Sequence, residues 1–133
     1  MGVRPLVAVA FALTLGLGVA SAPPVQAAPR HRLHIIATAY CQKGLTKNGH
    51  PVRRGVIAAD PAVLPLGSIV RIEVAVATRA SGIYTVDDTG GAVKGHRIDI
   101  YMPSCARAKR FGRRATIVEV LKPAEVSRVS ATD

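Results

Sequence analysis

The run from Ser68 to Val76, SIVRIEVAV, alternates with period two: Val70, Ile72 and Val74 point one way, Arg71 and Glu73 the other. That period belongs to a half-buried β-strand and cannot serve as a helix face. Five further short runs are rich in β-branched and small apolar residues: Leu33–Cys41, Gly55–Ala59, Gly82–Asp88, Arg97–Met102 and Arg114–Leu121. Gly, Pro and Asn-Gly signals bound them. In Arg97–Met102, Ile98 and Ile100 share one face and Asp99 and Tyr101 the other, and in the last run Glu119 is expected to point outward. Six strands, without the crossover helices that a parallel α/β sheet needs, predict a small, mainly β barrel.

One or two short helices complete the set. Asp60 can cap, and Pro61 can begin, a helical turn that Leu64-Pro65-Leu66-Gly67 ends. Pro103–Phe111 reads as a short helix with Gly112 just past its end. Ala77–Ser81 is a turn, and Gln42–Arg54 is a polar connection carrying the Asn48-Gly49 turn signal.

Arg4 precedes an uncharged run from Pro5 to Ala22, and Val25-Gln26-Ala27 offers small residues at a cleavage site. This is the pattern of a secretory signal peptide over residues 1–27. The alternative is an uncleaved anchor, but the run is rich in Gly and Ala and marginal in length for a spanning helix. The expected product is secreted to the periplasm or cell wall, with no membrane contact beyond the signal peptide. Residues 28–36 form a leader and the start of the first strand, 37–122 the barrel, and 123–133 a tail. Without residues 1–27 the 133-residue chain keeps about 106 residues, which is one small domain. Trp is absent and Phe and Tyr total five, so the core must be built mainly of Val, Ile, Leu and Ala. That composition favours strands.

The formal charge is +10, which draws the protein to polyanions or merely keeps it soluble. Outside a bacterial-type cell those polyanions are wall polymers and anionic headgroups. Aromatic residues are too few for a base-stacking platform, so nucleic acid is not an expected partner. Cys41 and Cys105 are the only cysteines, and in an oxidising compartment a disulfide between them is the default. It would contribute about 3–4 kcal/mol on chain-entropy grounds. No His has a triad-like context that would make either thiol a nucleophile, and the ligand set is too small for structural zinc. No metal and no cofactor are expected.

The densest chemistry lies in VDDTGGAVKGHRID, Val86 to Asp99. Asp88-Thr89-Gly90 could be half of an aspartic protease, but Asp87 stands where such sites carry an apolar residue, and a dimer would gather four carboxylates near its axis. A phosphate loop fails because Gly95 follows Lys94 instead of preceding it. A calcium loop fails for want of alternating oxygen ligands and a terminal Glu. What remains is a glycine turn that brings Asp88, at one strand end, close to Asp99 on the following strand, while Asp60 leaves a third. The bland roles stay open: Asp60 as a cap and Asp88 as an Asx-turn acceptor. Asp99 lies inside a strand, where neither bland role applies. Two neighbouring acids push one pKa upward, which supplies a proton donor of the kind glycosidic bonds need.

Four segments taken together resemble a known family: ATAYC from Ala37, GVIAADPAVLPLGSIVRI from Gly55, DTGGAVKGHRIDIYM from Asp88 and FGRRATIVEVL from Phe111. They are similar to the 3D domain family, named for three aspartates, which is related to the catalytic barrel of membrane-bound lytic transglycosylase A. The resemblance implies a six-stranded double-psi β-barrel. It further implies a peptidoglycan lytic transglycosylase that cleaves the β-1,4 bond from N-acetylmuramic acid to N-acetylglucosamine, with a 1,6-anhydro product. Asp99 matches the single acid/base of that reaction. Asp88 and Asp60 match the supporting aspartates, expected to tune Asp99 and to stabilise oxocarbenium charge. Thr38 and Tyr40 match the opening motif and are expected to line the cleft with Thr89, Gly90 and Gly91; Lys94 either contacts substrate carboxylates or is solvated. Asp87 is an extra acid, expected to face outward. The larger enzyme forms its groove against a second domain, so a lone barrel would hold glycan strands through its basic surface, or dimerise. The competing function is a non-catalytic, expansin-like protein that binds or loosens peptidoglycan.

Overall fold

The computed structural model describes residue 2 and residues 30–125. The signal-peptide assignment and most of the expected tail, from residue 126 on, lie outside the described residues. The elements in chain order are β1 (Arg32–Tyr40), β2 (Val56–Ala59), β3 (Ile69–Val74), β4 (Gly82–Asp88), β5 (Arg97–Tyr101), α1 (Cys105–Phe111) and β6 (Arg114–Lys122), with a 3-10 turn at Thr78–Ala80. All six predicted strands are present. The predicted helix begins at Cys105, where Ser104 Oγ accepts the Arg107 amide at 3.3 Å, and stops at Gly112 with φ of 64°. The turn expected after Asp60 forms without extending into a helix: the Asp60 carbonyl accepts the Val63 and Leu64 amides at 2.9 Å each, and Asp60 Oδ1 caps it by accepting the Ala62 amide at 3.0 Å.

The strands close into a barrel in the order β1-β5-β2-β4-β3-β6, the six-stranded double-psi architecture. β1 pairs parallel with β5 and β2 with β4, and the other four pairings are antiparallel. Each strand lends alternate residues to the interior: Ile35 and Ala37, Ile57 and Ala59, Val70 and Ile72, Val86, Ile98 and Ile100, and Val118 are all buried. These aliphatic side chains fill the lumen without large aromatics, as the composition requires. Phe111, at the end of α1, joins the same core.

Glu119 lies beside Val118 and points away from the lumen, as expected, but two arginines cover it. Arg30 reaches it at 3.3 Å and Arg71 at 2.9 Å, leaving its side chain 11% exposed. Burial alone would raise its pKa; the two guanidinium groups more than offset this and hold the carboxyl below its usual range.

Cys41, just past β1, is bonded to Cys105, the first residue of α1, with the Cα atoms 5.0 Å apart. The bond ties the helix to a strand 64 residues earlier in sequence. Reduction is expected to cost about 3–4 kcal/mol and to lower Tm by more than about 10 °C in a domain of this size. Thermal circular dichroism with and without a thiol reductant checks it; an unchanged Tm would remove the disulfide from the stability of the domain.

Candidate active site

β5 lies between β1 and β2, so Asp99 has an in-register neighbour on each side: Thr38 on β1 and Ala58 on β2. Asp88 on β4 is the register partner of Ala58 from the far side. Thr38, Asp99, Ala58 and Asp88 thus make one row across four strands, with a methyl group between the acids. Two strand spacings separate the acids, about 10 Å of backbone. This corrects the expectation that the glycine turn brings Asp88 beside Asp99. The β4–β5 connection is not a hairpin but a crossover that steps past β2.

Thr38 Oγ1 donates to Asp99 Oδ1 at 2.9 Å. Burial raises the Asp99 pKa above the ordinary carboxylate value, and the Thr38 hydrogen bond and the Arg97 charge only partly oppose it. Asp88 is not among the causes, so desolvation takes the place of the expected acid–acid repulsion. Arg97 sits two residues earlier on the same face, and its Nε is buried without a hydrogen-bond partner among the described residues. Strand parity alone would have singled out Arg97, which the motif comparison passed over. Tyr40 packs edge-on against Tyr101, with ring centroids 5.4 Å apart. Its hydroxyl is buried and faces Asp88, with no partner at strict hydrogen-bonding geometry among the described residues. Burial, then the charges of Asp88 and Asp99, hold its pKa above the usual phenol value, so Tyr40 senses both acids.

Asp87 and Asp88 do different work. The β2–β4 register slips after Ile57: Ile57 pairs with Val86 and Ala58 with Asp88, which leaves Asp87 as an extra, bulged residue. Asp87 is not outward-facing as expected; it is 3% exposed. Its carboxylate accepts Thr46 Oγ1 and Asn48 Nδ2 at 2.9 Å each, and His50 Nδ1 lies 3.0 Å from both oxygens. Burial would raise its pKa, but these three hydrogen bonds prevail and lower it. Asp88 Oδ1 accepts the Lys47 amide and the Thr89 amide, both at 2.9 Å. The pair of acids therefore pins the segment Thr46–His50 to the end of β4. The sequence signal for this was the cluster of short polar side chains around Asn48-Gly49, with nothing in it to name the partner.

Asp60 clamps the crossover. Its Oδ2 accepts the Gly95 amide at 2.8 Å. The Gly95 and Ala62 amides, with the nearby Lys94 charge, hold its carboxyl below the ordinary value. Lys94 thus stands near Asp60. Gly90 is required by close approach: a Cβ there would come within 2.8 Å of Val93 Cγ2. Gly91 has open space around it and is exposed. Among the described residues no group of His, Cys, Asp and Glu could hold a metal ion. The row offers a carboxyl whose pKa lies above the ordinary carboxylate value, held by a hydroxyl and flanked by a cation and a phenol. That is the equipment of a general acid.

Asp87→Ala is expected to leave the Thr46, Asn48 and His50 side chains unpartnered and to cost about 2–3 kcal/mol. Because folding lowers the Asp87 pKa, its contribution is complete above the unfolded value of about 4 and is lost as pH falls below it. Urea melts of both proteins between pH 7 and pH 3 check this: the stability gap should close toward pH 3, and a gap independent of pH would refute the carboxylate clamp.

Residues 55–122 match the 3D domain family. The cell wall-binding protein YocH of Bacillus subtilis (strain 168) is 39% identical over 98 residues, which is 67% of this chain and 32% of that protein. The fold is similar to that of LtgG, a lytic transglycosylase of Burkholderia pseudomallei, with a TM-score of 0.52 and 21% identity over 62% of this chain and 27% of that one. It is also similar to a variant of the E. coli lytic transglycosylase MltA, with a TM-score of 0.50 and 23% identity over 63% of this chain and 29% of that one. The chain spans about a third of the length of each of these proteins. With the barrel, the aspartate row and the matched segment in agreement, the chain belongs to the 3D domain family.

Proposed function

We propose that this protein is a secreted lytic transglycosylase that cleaves the N-acetylmuramyl-β-1,4-N-acetylglucosamine bond of peptidoglycan, with Asp99 as its acid/base. The carrying observation is the Asp99 carboxyl, desolvated enough to raise its pKa yet fixed by Thr38. Asp99 protonates the glycosidic oxygen as the bond from that oxygen to the anomeric carbon breaks. The muramyl 6-hydroxyl then closes on that carbon and returns its proton to Asp99, so no water is consumed. Asp88, on the far side of Ala58, and Tyr40 face the developing oxocarbenium charge. Asp60 and Gly95 hold the crossover that borders the row. The glycan strand is the partner, and the cell wall or periplasm the place of action.

A second reading is favoured by one observation, the similarity to YocH of Bacillus subtilis, a cell wall-binding protein. On that reading the row binds glycan without cleaving it. Incubation with purified sacculi separates the two: 1,6-anhydro-muropeptides detected by mass spectrometry support catalysis, whereas retention on sacculi without them supports binding. Asp99→Asn is expected to reduce their formation by at least about 100-fold, and an undiminished yield would sink the acid/base assignment. Thr38→Val removes a hydrogen bond that favours the charged carboxylate, so the Asp99 pKa rises further. The alkaline limb of the pH–rate profile should then move to higher pH; a shift to lower pH would contradict the role given to Thr38.

A further inference from the structure

The end of the barrel away from Asp60 and Gly95 carries a different chemistry. β2 begins there, β5 ends there and α1 crosses it, and between them opens a cavity of about 290 Å³. Five of its lining residues are arginines, namely Arg54, Arg79, Arg107, Arg110 and Arg114, and no lining residue is acidic. The size is near the lower limit of small-ligand clefts, about 300 Å³.

The arginines come from three stretches of chain: Arg54 before β2, Arg79 in the 3-10 turn, and Arg107, Arg110 and Arg114 in the basic run that joins α1 to β6, so the barrel's closure adds two distant arginines to a local basic run. Arg114 is fixed: its Nε donates to the Phe111 carbonyl at 2.9 Å and its guanidinium lies 5.3 Å from the centroid of the Phe111 ring. The other four form no salt bridge among the described residues, while Glu73, Glu119 and Glu125 are paired with Arg or Lys elsewhere. Like charges gathered without a counter-ion oppose folding. A bound anion offsets that cost.

We propose that this pocket binds a phosphate group, presented by a phosphodiester-linked polyol polymer. One planar carboxylate is satisfied by a single guanidinium fork, whereas the tetrahedral phosphate offers oxygens to several forks converging from different directions. The cavity admits a phosphate with its linking carbons, and its openness at a barrel end lets a chain continue on either side. The reading is independent of the chemistry at Asp99, because it concerns affinity at the opposite end of the barrel.

The test is titration calorimetry of the full-length protein at fixed salt with poly(glycerol phosphate), inorganic phosphate, and vesicles containing phosphatidylglycerol, at equal phosphate. Arg107→Gln/Arg110→Gln should weaken polymer binding about tenfold or more. Lys43→Gln/Lys109→Gln, which removes the same charge outside the pocket, should change it less than about twofold. Arg107→Lys/Arg110→Lys keeps the charge and loses the forks, and should fall between. Circular dichroism confirms that each variant is folded. Equal losses from the two Gln pairs would overturn the pocket in favour of general charge attraction. Undiminished binding by the Lys pair would overturn recognition by forks, and tighter binding to vesicles than to polymer would overturn the polymer as its source.

Discussion

β6 pairs with both β1 and β3, and that double pairing joins the two ends of the sheet into a ring. Once the ring is closed, no strand can slip without turning its buried residues outward, because side chains alternate with period two. Ile98 and Ile100 are held in the lumen, so Asp99 between them is held on the outer face. Thr38 and Ala58 are fixed beside it by the same closure. The position of the acid is thus a consequence of aliphatic packing on the other side of the sheet. A change at Ile98 or Ile100 would disturb the row as surely as a change within it.

The two adjacent acids of β4 show what one irregularity can do. In a regular strand Val86 would point in, Asp87 out and Asp88 in, which would bury Asp88 in an aliphatic core at prohibitive cost. The bulge takes Asp87 out of the count and returns Asp88 to the register of Ala58 and Asp99. The extra residue is then free to anchor Thr46, Asn48 and His50. Backbone amides of Lys47 and Thr89 satisfy one Asp88 oxygen, so the acid closest to the clamp also belongs to the row.

Strand positions and the helix were legible because each depends on local pattern: SIVRIEV alternates, RIDIY alternates, and Ser104 and Gly112 bracket seven helical residues. The row was half legible. Parity placed Asp99 opposite Ile98 and Ile100, but the glycine-rich turn between Asp88 and Asp99 implied neighbouring strands, and only long-range pairing inserts β2 between them. Asp87 was misjudged for a related reason. Parity says which face a side chain takes and nothing about what covers that face, and its partners lie 37 to 41 residues away. For Glu119 parity gave the outward face correctly but not its cover, since Arg71 is 48 residues distant.

The barrel separates charge along its axis, although nothing in the overall +10 requires that. Asp60, Asp87 and Asp88 gather where β2 and β4 end, and five arginines gather where those strands begin. Between the two ends lies Tyr101, which packs against Tyr40 on the side of the aspartates and lines the arginine pocket on the other. A neutral sugar and an anionic group on one polymer would therefore prefer opposite ends of the same small surface. Because Tyr101 lies two residues beyond Asp99 on β5, a polymer held at the arginines is brought within about 7 Å of strand length of the acid.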